Sequence, residues 1–345
     1  MRNVLGLQYS KKRETGHCVV PKRGKGAAMN TTHCNPEKIR VTLLKGGVSS
    51  EREVSLRSGE ASAKALRSQG FVVTEVDTGA PGMIGQIIDS KPDVVFNVLH
   101  GKDGEDGCIQ GFLELVGIPY TGSGVLASAL AMDKSKSKMF YEAAGINTPQ
   151  SVTLTKGEDV EVEAILAKVG EKSVVKPAGE GSSVGMSIVH EAAQLFPAVE
   201  KAFECDETVL VERFVEGTEV TVAVLGNEQP EALPVIEIVP WDKSEFYDFE
   251  AKYAAGGSTH IIPARIPDEQ TAECKKQAVA AHKALGCRGV SRTDFIIDGN
   301  GVCWALETNT LPGMTATSLL PDAAAKAGIE FGPLCQLLVE LALEK

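Results

Sequence analysis

The residues best placed to do chemistry lie toward the C-terminal end of the chain. Segments 289–297 and 302–307 read as two β-strands joined by the turn Asp298-Gly299-Asn300-Gly301. Side chains alternate with period 2, and directly opposed residues point the same way. If the loop holds an even number of residues, Arg292 and Asp294 therefore share a face with Glu307 and, one step further along the strand, Asn309. Two carboxylates, one amide oxygen and one guanidinium then converge at one end of a sheet. Oxygen ligands without sulfur or imidazole suit a hard ion such as Mg²⁺. A salt bridge from Arg292 to Asp294 or Glu307 accounts for the pairing equally well. The flanking run Leu306-Glu307-Thr308-Asn309-Thr310-Leu311-Pro312-Gly313-Met314 tips the balance toward a site, because Pro and Gly can set a backbone N–H against a ligand.

Four further segments carry weaker signals. Lys176-Pro177-Ala178-Gly179-Glu180-Gly181-Ser182-Ser183-Val184-Gly185 reads as a phosphate-covering loop: glycines leave N–H groups free, hydroxyls add donors and the lysine adds a charge. Taken alone, an ordinary hairpin tip explains it better, and neither GxxxxGK[ST] nor GxGxxG occurs in the chain. Gly46-Gly47-Val48-Ser49-Ser50-Glu51 leads from a strand into a helix, where Glu51 either complements the helix dipole or pairs with a substrate ammonium. His100-Gly101-Lys102-Asp103-Gly104-Glu105-Asp106-Gly107 is a glycine-punctuated loop in which His100 is a hydrogen-bond donor or a structural residue. Phe246-Tyr247-Asp248-Phe249-Glu250-Ala251-Lys252-Tyr253 lies in a long irregular stretch, 240–263, of the lid or binding-loop kind, where the aromatics either simply pack or, with Lys252, close over an anionic ligand.

The elements that must position these residues alternate. Runs 39–44, 71–76 and 94–99 are β-type, with a helix after Ser49 or Ser50, capped by one of them, that carries Val54, Ala61, Ala65 and Leu66 on one face. A second helix covers 108–116. This βαβ alternation predicts a parallel sheet with helices on its faces. Beyond a turn-rich boundary at 117–124 come a helix over 134–144, strands at 173–176, 186–190, 209–212, 219–225 and 234–239, and a helix at 268–285. Two helices close the chain. The predicted division is 1–38, 39–122, 123–215 and 216–345.

The chain has 345 residues and a net charge of −11, and its charge is unevenly spread. Residues 1–40 carry nine Lys/Arg against two Glu; the remainder carries 26 basic and 44 acidic side chains. An acidic body argues against a nucleic-acid binder, whose affinity comes from neutralising phosphates with cations. Residues 1–38 show no period and read as a disordered basic extension or the product of an upstream start, with Met29 the alternative start. No run of roughly 18 apolar residues occurs, so no transmembrane helix is expected. The eight cysteines are scattered without metal-type spacing and read as reduced thiols in a cytoplasmic protein.

Order and co-occurrence decide what single motifs cannot. From residue 39 to the C-terminus the chain resembles the D-alanine–D-alanine ligases of the ATP-grasp superfamily. The likeness rests on GGVSSEREVSLRSG (46–59), HGKDGEDG (100–107), PYTGSGVLASALAMDKSKSK (119–138), KPAGEGSSVGMS (176–187), FYDFEAKY (246–253), SRTDF (291–295) and LETNTLPGMTATSL (306–319). The resemblance implies an α/β (α+β) ATP-grasp fold of three domains, with a parallel-sheet N-terminal domain. It implies a reaction in which ATP phosphorylates the carboxylate of one D-alanine and the amine of a second displaces phosphate, giving a peptidoglycan precursor. A cytoplasmic homodimer is likewise implied, with no nucleic-acid partner.

Residue by residue, the resemblance implies that Lys134, Lys176 and Lys252 hold the ATP phosphates, Lys252 joining when the long loop closes. Glu212 receives the adenine amino group, Arg213 and Val215 line the hinge through their backbone, and Glu219 takes the ribose hydroxyls. Asp294, Glu307 and Asn309 ligate two Mg²⁺ ions, or Mn²⁺ in their place. Arg292 and the N–H of Gly313 stabilise the oxyanion. Glu51 grips the ammonium of the first D-alanine with His100 beside it, and Ser182 links Glu51 to Tyr253. Ser318, with Leu319 nearby, binds the carboxylate of the second. Tyr253 stands where family members that make D-alanyl-D-lactate can carry Phe, which favours the dipeptide. Arg213 stands where Lys is common, with little consequence for a backbone contact.

Three rivals are weaker. A related ligase activating another carboxylate would lack HGKDGEDG and EAKY. A non-catalytic nucleotide-binding module would have lost a metal ligand or Arg292. A hydride-transfer enzyme would need the missing dinucleotide glycine pattern.

Overall fold

The structure, a computed structural model, describes residues 35–181, 184–240 and 258–344. Ser182, Lys252, Tyr253 and the expected extension up to residue 34 lie outside the described residues. Within the segment expected to be disordered, Pro36–Lys38 form one 3₁₀ turn.

The N-terminal unit is a parallel sheet in the order β2-β1-β3, built from β1 (Arg40–Lys45), β2 (Val72–Asp77) and β3 (Val94–Asn97). The central strand β1 is buried along Val41–Leu44, as a parallel strand covered on both faces should be. Helix α1 (Arg52–Ser68) packs on it, and its buried face is Val54, Ser55, Ser58, Gly59, Ser62, Ala63, Ala65 and Leu66. Ala61, expected on that face, is partly exposed. Small residues make the interface because the helix lies close: a Cβ on Gly59 would sit 2.7 Å from the Cβ of Lys45. Neither Ser49 nor Ser50 caps the helix through its side chain, and Glu51 occupies the cap position. The Ser49 hydroxyl donates instead to the carbonyl of His100 at 2.7 Å, tying the start of α1 to the loop after β3. Helices α2 (Met83–Asp89) and α3 (Cys108–Val116) complete the unit.

Helices α4 (Val125–Met132) and α5 (Lys134–Ala143) follow. Asp133 sets where α5 begins, its carboxylate accepting from the backbone N–H groups of Ser135 at 2.9 Å and Lys136 at 3.1 Å. An antiparallel sheet comes next, in the order β4-β7-β5-β6: β4 (Ser151–Thr155), β5 (Ser173–Pro177), β6 (Ser187–Val189) and β7 (Thr208–Arg213). Helices α6 (Val162–Val169) and α7 (Ala192–Phe203) cover it through Ile165, Leu195, Val199 and Phe203.

The largest sheet runs β11-β10-β8-β12-β13, with β9 also pairing to β8. Its strands are β8 (Gly217–Leu225), β9 (Glu231–Ala232), β10 (Ile236–Pro240), β11 (Ser258–Ile261), β12 (Val290–Asp298) and β13 (Cys303–Asn309). Helix α8 (Asp268–Ala284) packs on one face, sharing a core with Tyr141 and Ala131 from α5 and α4. The closing helices α9 (Leu319–Lys326) and α10 (Phe331–Leu343) join this sheet to the N-terminal one, because Leu334, Leu338 and Leu341 share a core with Val41, Phe96 and Leu225.

The β12–β13 hairpin behaves differently from the simple expectation. Near its tip Ile297 pairs with Cys303 and Phe295 with Ala305, so five residues, 298–302, separate the first pair. An odd loop alone would set Leu306 opposite Asp294. A β-bulge follows Phe295, and beyond it Asp294 pairs with Glu307 and Arg292 with Asn309. The four residues do share a face, by way of a bulge rather than an even loop.

Candidate active site

One cavity opens where the units meet. Glu51 and His100 reach it from the N-terminal unit, Lys134 from α5, Gly181 from the glycine-rich loop, Arg292, Glu307 and Asn309 from the hairpin, and Gly313, Ser318 and Leu319 from the segment leading into α9. Nine of the fifteen expected residues that the structure describes are thus brought together, from elements far apart in sequence.

At the hairpin Arg292 makes a two-pronged ion pair with Asp294, Nε to Oδ1 at 2.9 Å and Nη2 to Oδ2 at 2.8 Å. The pair is largely buried rather than a surface bridge. Asn309 Nδ2 donates to Asp294 Oδ2 at 3.3 Å, and the Thr221 hydroxyl donates to Oδ1. Lys134 Nζ lies 3.4 Å from Glu307 Oε2 and donates to the carbonyl of Glu180 at 2.7 Å. Two carboxylates and an amide, answered here by Arg292 and Lys134, form a donor set that fits a hard divalent ion.

The N-terminal side is rich in acid. Glu51 is buried and faces the glycine-rich loop: a Cβ on Gly181 would come 3.3 Å from its Oε2. Burial pushes the Glu105 carboxyl up to about 8, the Glu51 charge adds to the shift, and the N–H of Gly101 on Glu105 Oε1 opposes it. Burial lowers His100, with Glu51 pulling the other way and Arg292 reinforcing the drop. His100 Nε2 has no hydrogen-bond partner among the described residues. Glu105 sits inside HGKDGEDG but was not singled out in the sequence; nothing in that motif distinguishes it from exposed Asp103.

Ser318 occupies the cap position of α9. Its Oγ accepts from the N–H of Thr315 at 3.0 Å and lies 2.8 Å from the Thr315 hydroxyl. The position of Gly313 leaves no room for a side chain, since a Cβ there would meet Ser318 Oγ at 2.7 Å.

Lys176 and Glu212 form a separate cluster, outside the residues that line this cavity. The Glu212 carboxylate, almost wholly buried, accepts from Lys176 on Oε1 and from Lys138 Nζ on Oε2 at 3.0 Å. Burial alone would raise Glu212, but the two ammonium groups outweigh it and hold it below the usual carboxylate range. Lys138 went unnoticed in the sequence, although it stands one helical turn from Lys134 and so on the same face. Arg213 is exposed with its N–H donating to the carbonyl of Gln150 at 2.8 Å, and Val215 and Glu219 are half-buried close by in the chain.

Comparison with known proteins settles the family. Residues 140–340 match the family model described as D-ala D-ala ligase C-terminus, and residues 83–123 match D-ala D-ala ligase N-terminus. A D-alanine--D-alanine ligase of Pelotomaculum thermopropionicum is 50% identical over 312 residues, spanning 89% of this chain and 97% of the relative. The chain belongs to the D-alanine–D-alanine ligase family. Among solved structures, the Bacillus anthracis D-alanine--D-alanine ligase complexed with ATP is similar at a TM-score of 0.77 and 34% identity, covering 88% of this chain and 97% of that one. The VanG D-Ala:D-Ser ligase of Enterococcus faecalis is similar at 0.76 and 34% identity, covering 88% and 99%. The ATP-grasp ligase fold expected from the sequence is thereby shown, and no described helix is long and apolar enough to cross a membrane.

Proposed function

We propose that this protein is the ATP-dependent ligase that joins two D-alanines into D-alanyl-D-alanine for peptidoglycan precursors, acting as a cytoplasmic homodimer. The observation that carries the reading is the meeting of Glu51, Arg292, Lys134, Glu307, Gly313 and Ser318 around one cavity. The proposed units are 39–122, 123–215 and 216–345, with the cavity between them.

Glu51 accepts the ammonium of the first D-alanine with His100 beside it, which leaves that substrate's carboxylate directed toward Arg292. A carboxylate oxygen attacks the γ-phosphorus of ATP and ADP departs. The carboxylate, a poor electrophile, becomes an acyl phosphate with a good leaving group. Ser318, with Leu319 alongside, holds the carboxylate of the second D-alanine so that its amine faces the acyl carbon. That amine, after losing a proton, adds to the carbon. Arg292 and the N–H of Gly313 stabilise the negative oxygen that develops there. Phosphate leaves and the peptide bond is complete. No described side chain is assigned as the base for the second amine.

Lys134 and Lys176 neutralise the ATP phosphates, Glu212 receives the adenine amino group, the backbone of Arg213 and Val215 lines the base, and Glu219 takes the ribose. Lys252, Ser182 and Tyr253 complete the site as implied by the family. Asp294, Glu307 and Asn309 would hold Mg²⁺, two ions or Mn²⁺ in their place, which supplies charge neutralisation at the transferring phosphoryl group. Most of the rate enhancement asked of these groups is positioning and electrostatics.

The deciding experiment measures ADP and phosphate release with Mg²⁺ and D-alanine, with L-alanine, and with no amino acid. Release that requires D-alanine supports the proposal, and hydrolysis independent of amino acid overturns it. D-serine and D-lactate, added as competing nucleophiles, test the second subsite.

A further inference from the structure

Lys138 is an expensive residue to place where it is. Its side chain is 3% exposed, as is that of its partner Glu212. A buried ammonium costs several kcal/mol unless a counter-charge meets it. One carboxylate here meets two ammonium groups, Lys138 from α5 and Lys176 from β5. The cluster therefore carries one surplus positive charge in a place that water barely reaches.

The two lysines are not equivalent. Lys176 begins the glycine-rich loop and its side chain is 11% exposed, whereas Lys138 is held within α5 behind it. An arriving polyphosphate meets Lys176 first. If Glu212 had only Lys176, the phosphate could gain that ammonium only by stripping a buried carboxylate of its sole counter-ion. With Lys138 on the other oxygen, Lys176 can turn to phosphate while Glu212 stays ionised and fixed in direction. The oxygen that Lys176 gives up then becomes an acceptor for the nucleotide.

We infer that Lys138 is a positioning residue for ATP: it is the permanent counter-ion of Glu212, and it releases Lys176 to the phosphates. The inference rests on the proposed ATP-binding roles of Lys176 and Glu212. A lysine that merely filled the core would, on removal, weaken every ligand alike through lost stability. A counter-ion acting through Glu212 weakens ATP alone, and only while Glu212 is charged.

The test uses the full chain and Lys138→Met, which keeps an unbranched chain only one atom shorter and removes the charge. Titration calorimetry reads the binding of ATP with Mg²⁺ and without D-alanine; steady-state assays read KM for ATP and for D-alanine. Lys138→Met is expected to lose tenfold or more in ATP affinity and to leave KM for D-alanine within about twofold. Glu212→Gln and the double variant complete a cycle. With Glu212 already neutral, the added loss from Lys138→Met is expected to be small. Unchanged ATP affinity, equal weakening of ATP and D-alanine, or additive losses in the cycle would each overturn the inference. Should Lys138→Met fail to fold, Lys138→Gln replaces it under the same criteria. If the unaltered protein binds ATP but releases ADP without D-alanine, the ligase reading fails while the calorimetric cycle still decides the role of Lys138. If it binds no ATP, both fail.

Discussion

Tyr141 donates its hydroxyl hydrogen to Oγ1 of Thr308 at 2.7 Å, and Thr308 stands between Glu307 and Asn309 on β13. The Thr308 hydroxyl in turn lies 2.9 Å from that of Thr293 on β12. A buried chain of three hydroxyls therefore runs from the helix that carries Lys134 and Lys138 through both strands of the hairpin. Oppositely charged groups reach the cavity on elements joined by this chain, so their spacing is set by hydrogen bonds as well as by packing.

Tyr141→Phe removes the first donor while keeping the ring volume. A net loss of about 1 kcal/mol of stability is expected, since Thr308 keeps Thr293 as a partner. Urea midpoints of the two proteins check this. An unchanged midpoint would mean that the helix–hairpin contact is made by apolar packing alone.

Glu307→Gln removes one of the two carboxylates expected to hold Mg²⁺. Charge neutralisation at a phosphoryl group is worth several kcal/mol, so D-alanine-dependent ADP release should fall by roughly a hundredfold or more. Near-normal turnover at saturating Mg²⁺ would remove Glu307 from the metal set.

Gly313→Ala sets a methyl group 2.7 Å from the present position of Ser318 Oγ, close enough that the hydroxyl must shift. Displacing a substrate-holding group by about 1 Å costs on the order of a hundredfold in rate. The expected signature is a decrease of about tenfold to a hundredfold in kcat/KM for the second D-alanine, with ATP binding retained. Equal loss in ATP affinity would point to collapse of the whole loop instead.

Burial lowers His282 to about 4, while its Nδ1 lies 2.7 Å from the Ser291 hydroxyl. A free histidine titrates near 6.5, so between about 6.5 and 4 the unfolded chain binds a proton that the folded one refuses. Folding stability from this group is intact above pH 6.5 and falls with pH down to about 4, by about 3 kcal/mol in all. Urea midpoints at pH 7 and pH 4.5 for the unaltered protein and His282→Gln isolate the contribution. If both proteins lose the same stability on acidification, His282 is not its source.

The sequence was most legible where local chemistry brackets an element. Helix α3 lies at 108–116 as expected, and the structure brackets it with a left-handed glycine at each end, Gly107 and Gly117. The inner face of α1 was less legible. Hydrophobicity picks out Ala61, whereas close approach to β1 selects Ser55, Ser58 and Gly59, a steric demand that appears only once the sheet is in place. Ser49 was misread as a cap for a related reason, since its partner at His100 lies 51 residues away. That Asp294 and Glu307 share a face follows from strand alternation, although the loop is odd and a bulge makes up the difference. Glu105 and Lys138 were not found, because burial, which no motif encodes, is what makes an ordinary glutamate or lysine matter.

The bulge in the hairpin works like a compensating frameshift. The odd loop at the tip puts the two strands out of phase, and one extra residue at Leu306 restores the phase before the charged pairs are reached. The tip is thereby insulated from the site in one direction only. Loop exchanges that preserve the count of residues leave Asp294 opposite Glu307. Paired without the bulge, the same sequence would set Leu306 opposite Asp294 and Glu307 opposite Thr293, moving the Glu307 carboxylate to the face of the hydroxyl chain. Whether that one residue is bulged out or paired decides which side of the strand is the reactive one.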